Sequence, residues 1–184
     1  MATSFTNISV DPKNVDKSVQ WYQAQVRKLG TLSGTNIMRE REFLVNRVLP
    51  GKMYLFFYDP KHKNKLPYYD RFPLVLPLEK YSDGFLGINL HYLPIPLRIK
   101  LLDRLVDFSN NTKFDESTKL NVSYQNLKRV RLIKPTIKRY LAGKVKSRFR
   151  RVDADEFTVA TLLPVQRFSK ASESEVWKDS RKMI

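Results

Sequence analysis

The residues of this sequence best able to do chemistry are cations. From Lys144 to Arg151 the run KVKSRFRR places Lys144, Lys146, Arg148 and Arg150 on alternate positions, with Val145, Ser147, Phe149 and Arg151 between them. A strand rises about 3.3 Å per residue, so one face would carry a cation about every 6.6 Å, a row able to follow a phosphate backbone. Upstream, Lys128, Arg129, Arg131, Lys134, Lys138 and Arg139 extend the same charge. Residues 123–151 hold eleven Lys and Arg and no Asp or Glu, within a chain of 184 residues whose net charge is +16. That concentration is unlike the mixed-sign surface of an ordinary soluble protein, and it implies a polyanionic partner. Double-stranded DNA gripped through about six to ten phosphates would show a log–log salt slope of roughly −5 to −9, with little regard for base sequence. The plainer readings are an acidic protein neighbour in an assembly or a solvated face.

Other chemistry has little material. The two histidines, His62 and His91, stand far apart, and neither has a metal-ligating neighbour at i+2 to i+5. Asp59-Pro60-Lys61 after an apolar run is faintly like the acid-x-Lys of metal-dependent nucleases, but the proline and the lack of an upstream acid favour a turn. The chain has no cysteine, which excludes a disulfide framework, a thiolate zinc site, an iron–sulfur cluster and a cysteine nucleophile. No Walker sequence, dinucleotide fingerprint or G-x-S-x-G occurs, so no catalytic residue, metal or cofactor is expected. Aromatic residues are dense from Tyr54 to Tyr92; core packing accounts for Tyr54, Phe56 and Phe57, whereas Tyr68, Tyr69 and Phe72, beside Lys61, Lys63, Lys65 and Arg71, are placed to stack unpaired bases.

The elements that must position these groups follow from periodicity. Val15, Val19, Tyr22, Val26 and Leu29 form one helical stripe between an Asn14 cap and a Gly30 stop, and Ile37 to Leu49 reads as a second, shorter helix. MYLFFY (Met53–Tyr58), PLVLPLE (Pro73–Glu79) and FLGINLHYL (Phe85–Leu93) read as a three-stranded antiparallel meander, with Ser82-Asp83-Gly84 as a tight turn. Pro73 and Pro77 cannot donate to a ladder, which assigns their strand to a sheet edge. Leu97, Leu101, Leu102, Leu105 and Phe108 are the stripe of a helix that covers the meander. Residues 109–122 are polar and turn-rich. A short helix capped by Ser123, another from Pro135 to Ala142, and a basic β-hairpin turning at Asp153-Ala154-Asp155 and returning through Phe157–Leu163 follow. Ser172 with Glu175 matches a capping box, with Val176-Trp177 as the docking point of a tail.

The expectation is therefore an α+β protein: a helical N-terminus, a three-stranded antiparallel sheet covered by a helix, and a basic C-terminal helix and β-hairpin. Its parts are a core over 1–108, a connecting loop over 109–122, a basic nucleic-acid-facing region over 123–170 and a tail over 171–184. No run approaches the roughly 18 apolar residues that span a bilayer, so no membrane partner is expected.

The stretch from Tyr58 to Pro94, through its elements YDPK, LPYYDRFPLV and GFLGINLHYLP, resembles the DNA end protector family of large contractile-tailed bacteriophages. The resemblance implies a small virion protein, made in the host cytoplasm, that binds the terminus of the packaged genome near the portal or neck and shields it from exonuclease. It carries over no individual residue. Its alternative is a structural connector of the neck, tail or baseplate that docks its basic region on acidic virion partners.

Overall fold

In a computed structural model, which describes Gln20, Ala24 and residues 33–107, 127–153 and 156–184, the apolar run after Pro50-Gly51 enters the middle of a six-stranded antiparallel sheet. The strands are β1 (Leu44–Val45), β2 (Met53–Leu55), β4 (Leu74–Tyr81), β5 (Gly84–Asn89), β6 (Ile137–Leu141) and β7 (Phe149–Val152), in the order β1-β7-β2-β4-β5-β6. A separate pair joins β3 (Tyr69–Asp70) to β8 (Phe168–Ser169). Alternation along the strands sorts the side chains to two faces. Met53, Leu55, Leu74, Leu76 and Ile88 face an aliphatic core, while Tyr54, Phe56, Val75, Phe85, Tyr140 and Phe149 form an aromatic cluster. Around Phe56, the rings of Tyr140 and Phe149 lie edge-on at 5.4 and 5.0 Å between centroids.

Among the described residues the helices with full bounds are α1 (Gly34–Ile37), α2 (Ile95–Asp107), α3 (Phe157–Leu162) and α4 (Glu173–Met183). The expected covering helix is α2. It places Leu101, Leu102 and Leu105 in the aliphatic core beside α3, while Phe108 lies outside the described residues. The capping box also forms: the Ser172 Oγ accepts from the Glu175 N–H, and the Glu175 carboxylate accepts from the Ser172 N–H at 2.7 Å. Val176 is buried, and the Trp177 Nε1–H donates to the His91 carbonyl at 2.9 Å, which docks α4.

The class is α+β, but the sheet has six strands rather than three. The expected meander is its centre, since β2, β4 and β5 are neighbours, and Ser82-Asp83 makes the turn. β4 is interior, not an edge. Its Pro77 is tolerated because the register shifts between Pro77 and Glu79, and because short β2 pairs only with Leu74 and Val75. Beyond β2, the Pro77 carbonyl instead accepts the N–H of Gly51, which sits at φ 79° in the left-handed turn before β2.

Three expected elements are replaced. The helix over Ile37–Leu49 is instead α1, a single turn over Arg41–Phe43 and β1. The helix over Pro135–Ala142 is β6: five residues in register with β5 satisfy its backbone, and Tyr140 enters the aromatic cluster, which outweighs a modest helix propensity. Here Gly84 is required, because a Cβ would lie 1.9 Å from the Tyr140 carbonyl oxygen. The basic hairpin is absent as a unit, because β7 inserts between β1 and β2 and Phe157–Leu162 is a buried helix. A continuous apolar run such as FTVATLL suits a buried strand or a buried helix equally well. Apart from helical Gln20 and Ala24, the Asn14–Leu29 helix lies outside the described residues. So do the 109–122 loop, the Ser123 cap, and Ala154 and Asp155 of the expected turn.

Three buried charges tie the layers. Asp70 accepts from the Phe72 N–H (3.0 Å), the Arg167 N–H (3.1 Å), Asn89 Nδ2 (3.2 Å) and His91 Nδ1 (2.7 Å). Burial pushes its carboxyl up, but the facing His91 and the backbone donors outweigh that and hold it below the ordinary aspartate range. His91 is held below the usual histidine value by burial, despite Asp70 beside it, so a neutral ring donates through Nδ1 to an ionised carboxylate. Arg98 donates to the carbonyls of Leu93, Thr161 and His91 and to Gln166 Oε1, joining α2 to α3 and to the chain before β8. Burial lowers its guanidinium to about 10. Arg150 bridges Glu40 at 2.9 Å and Glu156 at 2.8 Å.

Removing one partner from a buried, hydrogen-bonded charge pair costs about 3–5 kcal/mol, so Arg150→Ala should lower the urea midpoint at pH 7 by a corresponding amount, and Asp70→Asn, which takes an acceptor oxygen from buried donors, should lower it by about 1–3 kcal/mol. The unfolded chain takes up protons at His91 near pH 6.5 and at Asp70 near 3.8, each before the folded protein does. Stability should therefore fall as pH drops below about 6.5 and again below about 4, as urea titrations across that range would show.

Candidate nucleic-acid interface

The eleven basic positions do not form one row. Arg150 lies inside the protein with no exposed surface, held by two carboxylates and stacked 4.4 Å from the centroid of Phe43. A strand does put Arg150 and Val152 on one side and Phe149 and Arg151 on the other, but Arg150's side faces protein rather than solvent. Arg151 is half-buried and pairs with Asp153 at 2.7 Å. Arg148 is exposed, yet its guanidinium donates to the Leu44 carbonyl (2.6 Å) and to Asn46 Oδ1 (3.0 Å), fastening β1. Arg139 pairs with Asp83 and stacks over Tyr81.

The cations that remain outward are grouped at the two ends of β6. Lys128, Arg129, Arg131 and Lys134 are exposed on the chain entering it. Lys146 is exposed and Lys144 half-buried on the chain leaving it. Lys144 and Lys146 lie against the chain that leads into a second basic segment, the exposed loop 61–67: the Asp59 N–H donates to the Lys144 carbonyl (3.0 Å) and the Lys146 N–H to the Phe57 carbonyl (2.8 Å). Within it, Lys61 and Lys65 accompany Lys63, which is paired with Asp59 at 3.0 Å. The hydrogen bond from Lys63, assisted by the charges of Lys146 and Lys144, holds the Asp59 carboxyl below its usual range. The loop is fixed from the far end of the chain: the Lys170 ammonium donates to the carbonyls of Lys63, Asn64 and Leu66.

Behind that loop lies a cleft of about 390 Å³, walled by Tyr58, Tyr68, Tyr92 and Tyr140 and flanked by Lys138 and Arg139. β6 supplies the cations and Tyr140, the short turn after β5 supplies Tyr92, and the chain before β3 supplies Tyr68. The Lys138 ammonium lies 4.0 Å from the Tyr92 ring centroid, and burial lowers it to about 8. The Tyr58 hydroxyl accepts from the Leu141 N–H at 3.1 Å, and burial raises the phenols of Tyr58, Tyr92 and Tyr140.

Of the aromatic candidates, Phe72 is fully buried against Phe57 at 4.7 Å, which removes it from any stacking role, whereas Tyr68 and Tyr69 keep partial exposure. Tyr54 and Phe56 are core, as expected. His91 is likewise internal. Among the described residues, no group of three or more His, Asp or Glu stands where it could hold a metal ion, and no helix is long and apolar enough to cross a membrane. The cleft was not visible in sequence spacing, because its walls come from three elements far apart along the chain. The one available signal was the tyrosine-rich loop beside clustered lysines.

The model of the family described as phage T4 terminal DNA protecting protein matches residues 7–180. The chain belongs to that family. The match extends the resemblance seen over Tyr58–Pro94 to nearly the whole sequence, the basic stretch and the cleft included. Comparison with curated proteins and with solved structures gives no match.

Lys138 makes a measurable demand on this family member's fold. Below about pH 8 the folded and unfolded chains both carry its charge, and the folded chain bears the lost hydration. Between about 8 and 10.5 only the unfolded chain binds the proton, so this group makes stability rise with pH across that window. Lys138→Met should therefore melt at a higher temperature than wild type at pH 7, with the gap closing toward pH 10.5. A lower melting temperature at pH 7 would mean that the Tyr92 contact outweighs desolvation.

Proposed function

We propose that the protein binds the end of double-stranded phage DNA through its phosphates, without reading sequence and without chemical catalysis, and so shields the terminus from exonuclease. The observation that carries this reading is the family match over residues 7–180. The surface suits such a role, since Arg129, Arg131 and Lys134 on one side of β6, and Lys144, Lys146, Lys61 and Lys65 on the other, present cations to solvent. A five-residue strand spans about 17 Å, half of the roughly 34 Å helical repeat, so the two groups can meet phosphates on the two sides of one groove rather than one straight row. Arg150 has no part in this interface, and Arg148 and Arg151 act mainly within the protein. The site of action is the virion, near the portal or neck, reached by assembly in the host cytoplasm, with neighbouring virion proteins as further partners.

The test is exonuclease digestion of linear duplex at about 0.15 M salt, close to physiological ionic strength. Wild type should protect the DNA. The double variant Lys144→Glu/Lys146→Glu should bind more weakly across all sequences and reduce the salt slope by about two, at roughly 0.9 for each phosphate no longer neutralised. Lys100→Glu, on the exposed side of α2, should change neither. An unchanged slope in the double variant would place the interface elsewhere, and no protection by wild type would favour the connector reading.

A further inference from the structure

The cleft behind loop 61–67 offers something that a phosphate-binding surface does not need. Its walls are aromatic, its volume is about 390 Å³, and a lysine enters it from β6. Lys138 shares the inward face of β6 with Tyr140 and is half-buried, and among the described residues no carboxylate forms an ion pair with it. Its ammonium is met instead by the Tyr92 ring at 4.0 Å. A partly desolvated ammonium without a counter-ion is costly, and an anion entering the cleft would offset that cost. Asp70 also borders the cleft, but its two oxygens are taken by four donors and are not free to pair with the lysine.

The remaining wall indicates what else the ligand carries. Tyr68 is partly exposed, and its ring is tilted 39° to Tyr92 at 6.1 Å between centroids, so a flat ring can lie against it. Tyr69, beside Lys63, continues the aromatic border toward the basic loop. A phosphate next to a flat ring is a nucleotide. The volume suits one nucleotide and is too small for a base pair. A base in the interior of a duplex is stacked on both sides and must be extruded to reach such a cleft, whereas a terminal base is stacked on one side only.

We propose that this cleft receives the terminal nucleotide of a DNA strand, with a phosphate on the Lys138 ammonium and the base against Tyr68. The proposal rests on the DNA-binding reading above and adds to it the means of telling an end from the interior of the duplex. The exposed cations at the ends of β6 hold the duplex, and the cleft engages only a terminus.

Two DNAs of one sequence separate the possibilities: a hairpin with one open, 5′-phosphorylated end, and the same duplex ligated into a closed dumbbell. Affinities of the full chain for each, measured by fluorescence anisotropy at about 0.15 M salt, should differ by about tenfold or more in favour of the open form, the scale of one base stacked on an aromatic ring. Lys138→Met and, separately, Tyr68→Ala should lose that preference while binding the dumbbell as wild type does. Melting curves establish that each variant is folded, and Tyr68, being partly exposed, keeps the test open if Lys138→Met is not. Equal wild-type affinity for the two DNAs would overturn the cleft proposal and leave duplex binding standing. Binding to neither would overturn the function proposed above, and this proposal with it. A preference retained by folded variants would show that ends are recognised elsewhere.

Discussion

A carboxylate buried almost completely, Asp70, is the point on which the arrangement turns. Unsatisfied, it would cost several kcal/mol, so its place is fixed only if donors from different parts of the chain converge on it. They do: the backbone just after β3, the Asn89 amide at the end of β5, the His91 ring in the turn that follows and the backbone before β8. The small β3–β8 pair is thereby locked to the end of the main sheet. The base of loop 61–67 and the cleft wall inherit their position from that lock. Arg98 repeats the device one layer away, and its four acceptors fix α2 against α3 and the chain before β8.

Local signals were sufficient wherever a segment's own pattern decided its environment. The MYLFFY run, the Ser82-Asp83 turn, the Leu stripe of α2 and the Ser172–Glu175 box are cases where propensity and burial agree. Elsewhere the deciding interaction was non-local. Residues 137–141 are extended because the edge of β5 lacked a partner, which nothing in IKRYL announces. Period-two alternation over Lys144–Arg151 marks a strand only from Phe149 onward, since Lys144 closes a tight turn and the chain between is irregular, and alternation cannot say which face meets water. Charge suggested the cationic face; Glu40 and Glu156, distant or unremarkable in sequence, made it an interior one instead.

The interface shows the same division. Net charge located the basic stretch without difficulty, since charge is additive along a chain. How those cations divide between structural and outward duty depends on three-dimensional partners: Arg148 serves the Leu44 carbonyl, Arg151 serves Asp153, and Arg139 serves Asp83. Lys170, in no basic run, turns out to set the shape of the lysine loop by capping its carbonyls. The aromatic wealth of residues 54–92 divides likewise, the inner rings filling one face of the sheet and Tyr68 left at its margin.

The insertion of β7 between β1 and β2 has a consequence in time. The strands that flank it are made about a hundred residues earlier, so during synthesis β2 waits with one edge unpaired until Phe149–Val152 has left the ribosome. Contacts of such long sequence separation slow folding, because loop closure comes before the hydrogen bonds that reward it. A nascent or truncated chain ending before residue 149 therefore presents an apolar strand edge to its neighbours. The interval between making β2 and completing it is when this small protein is most open to aggregation or to a chaperone.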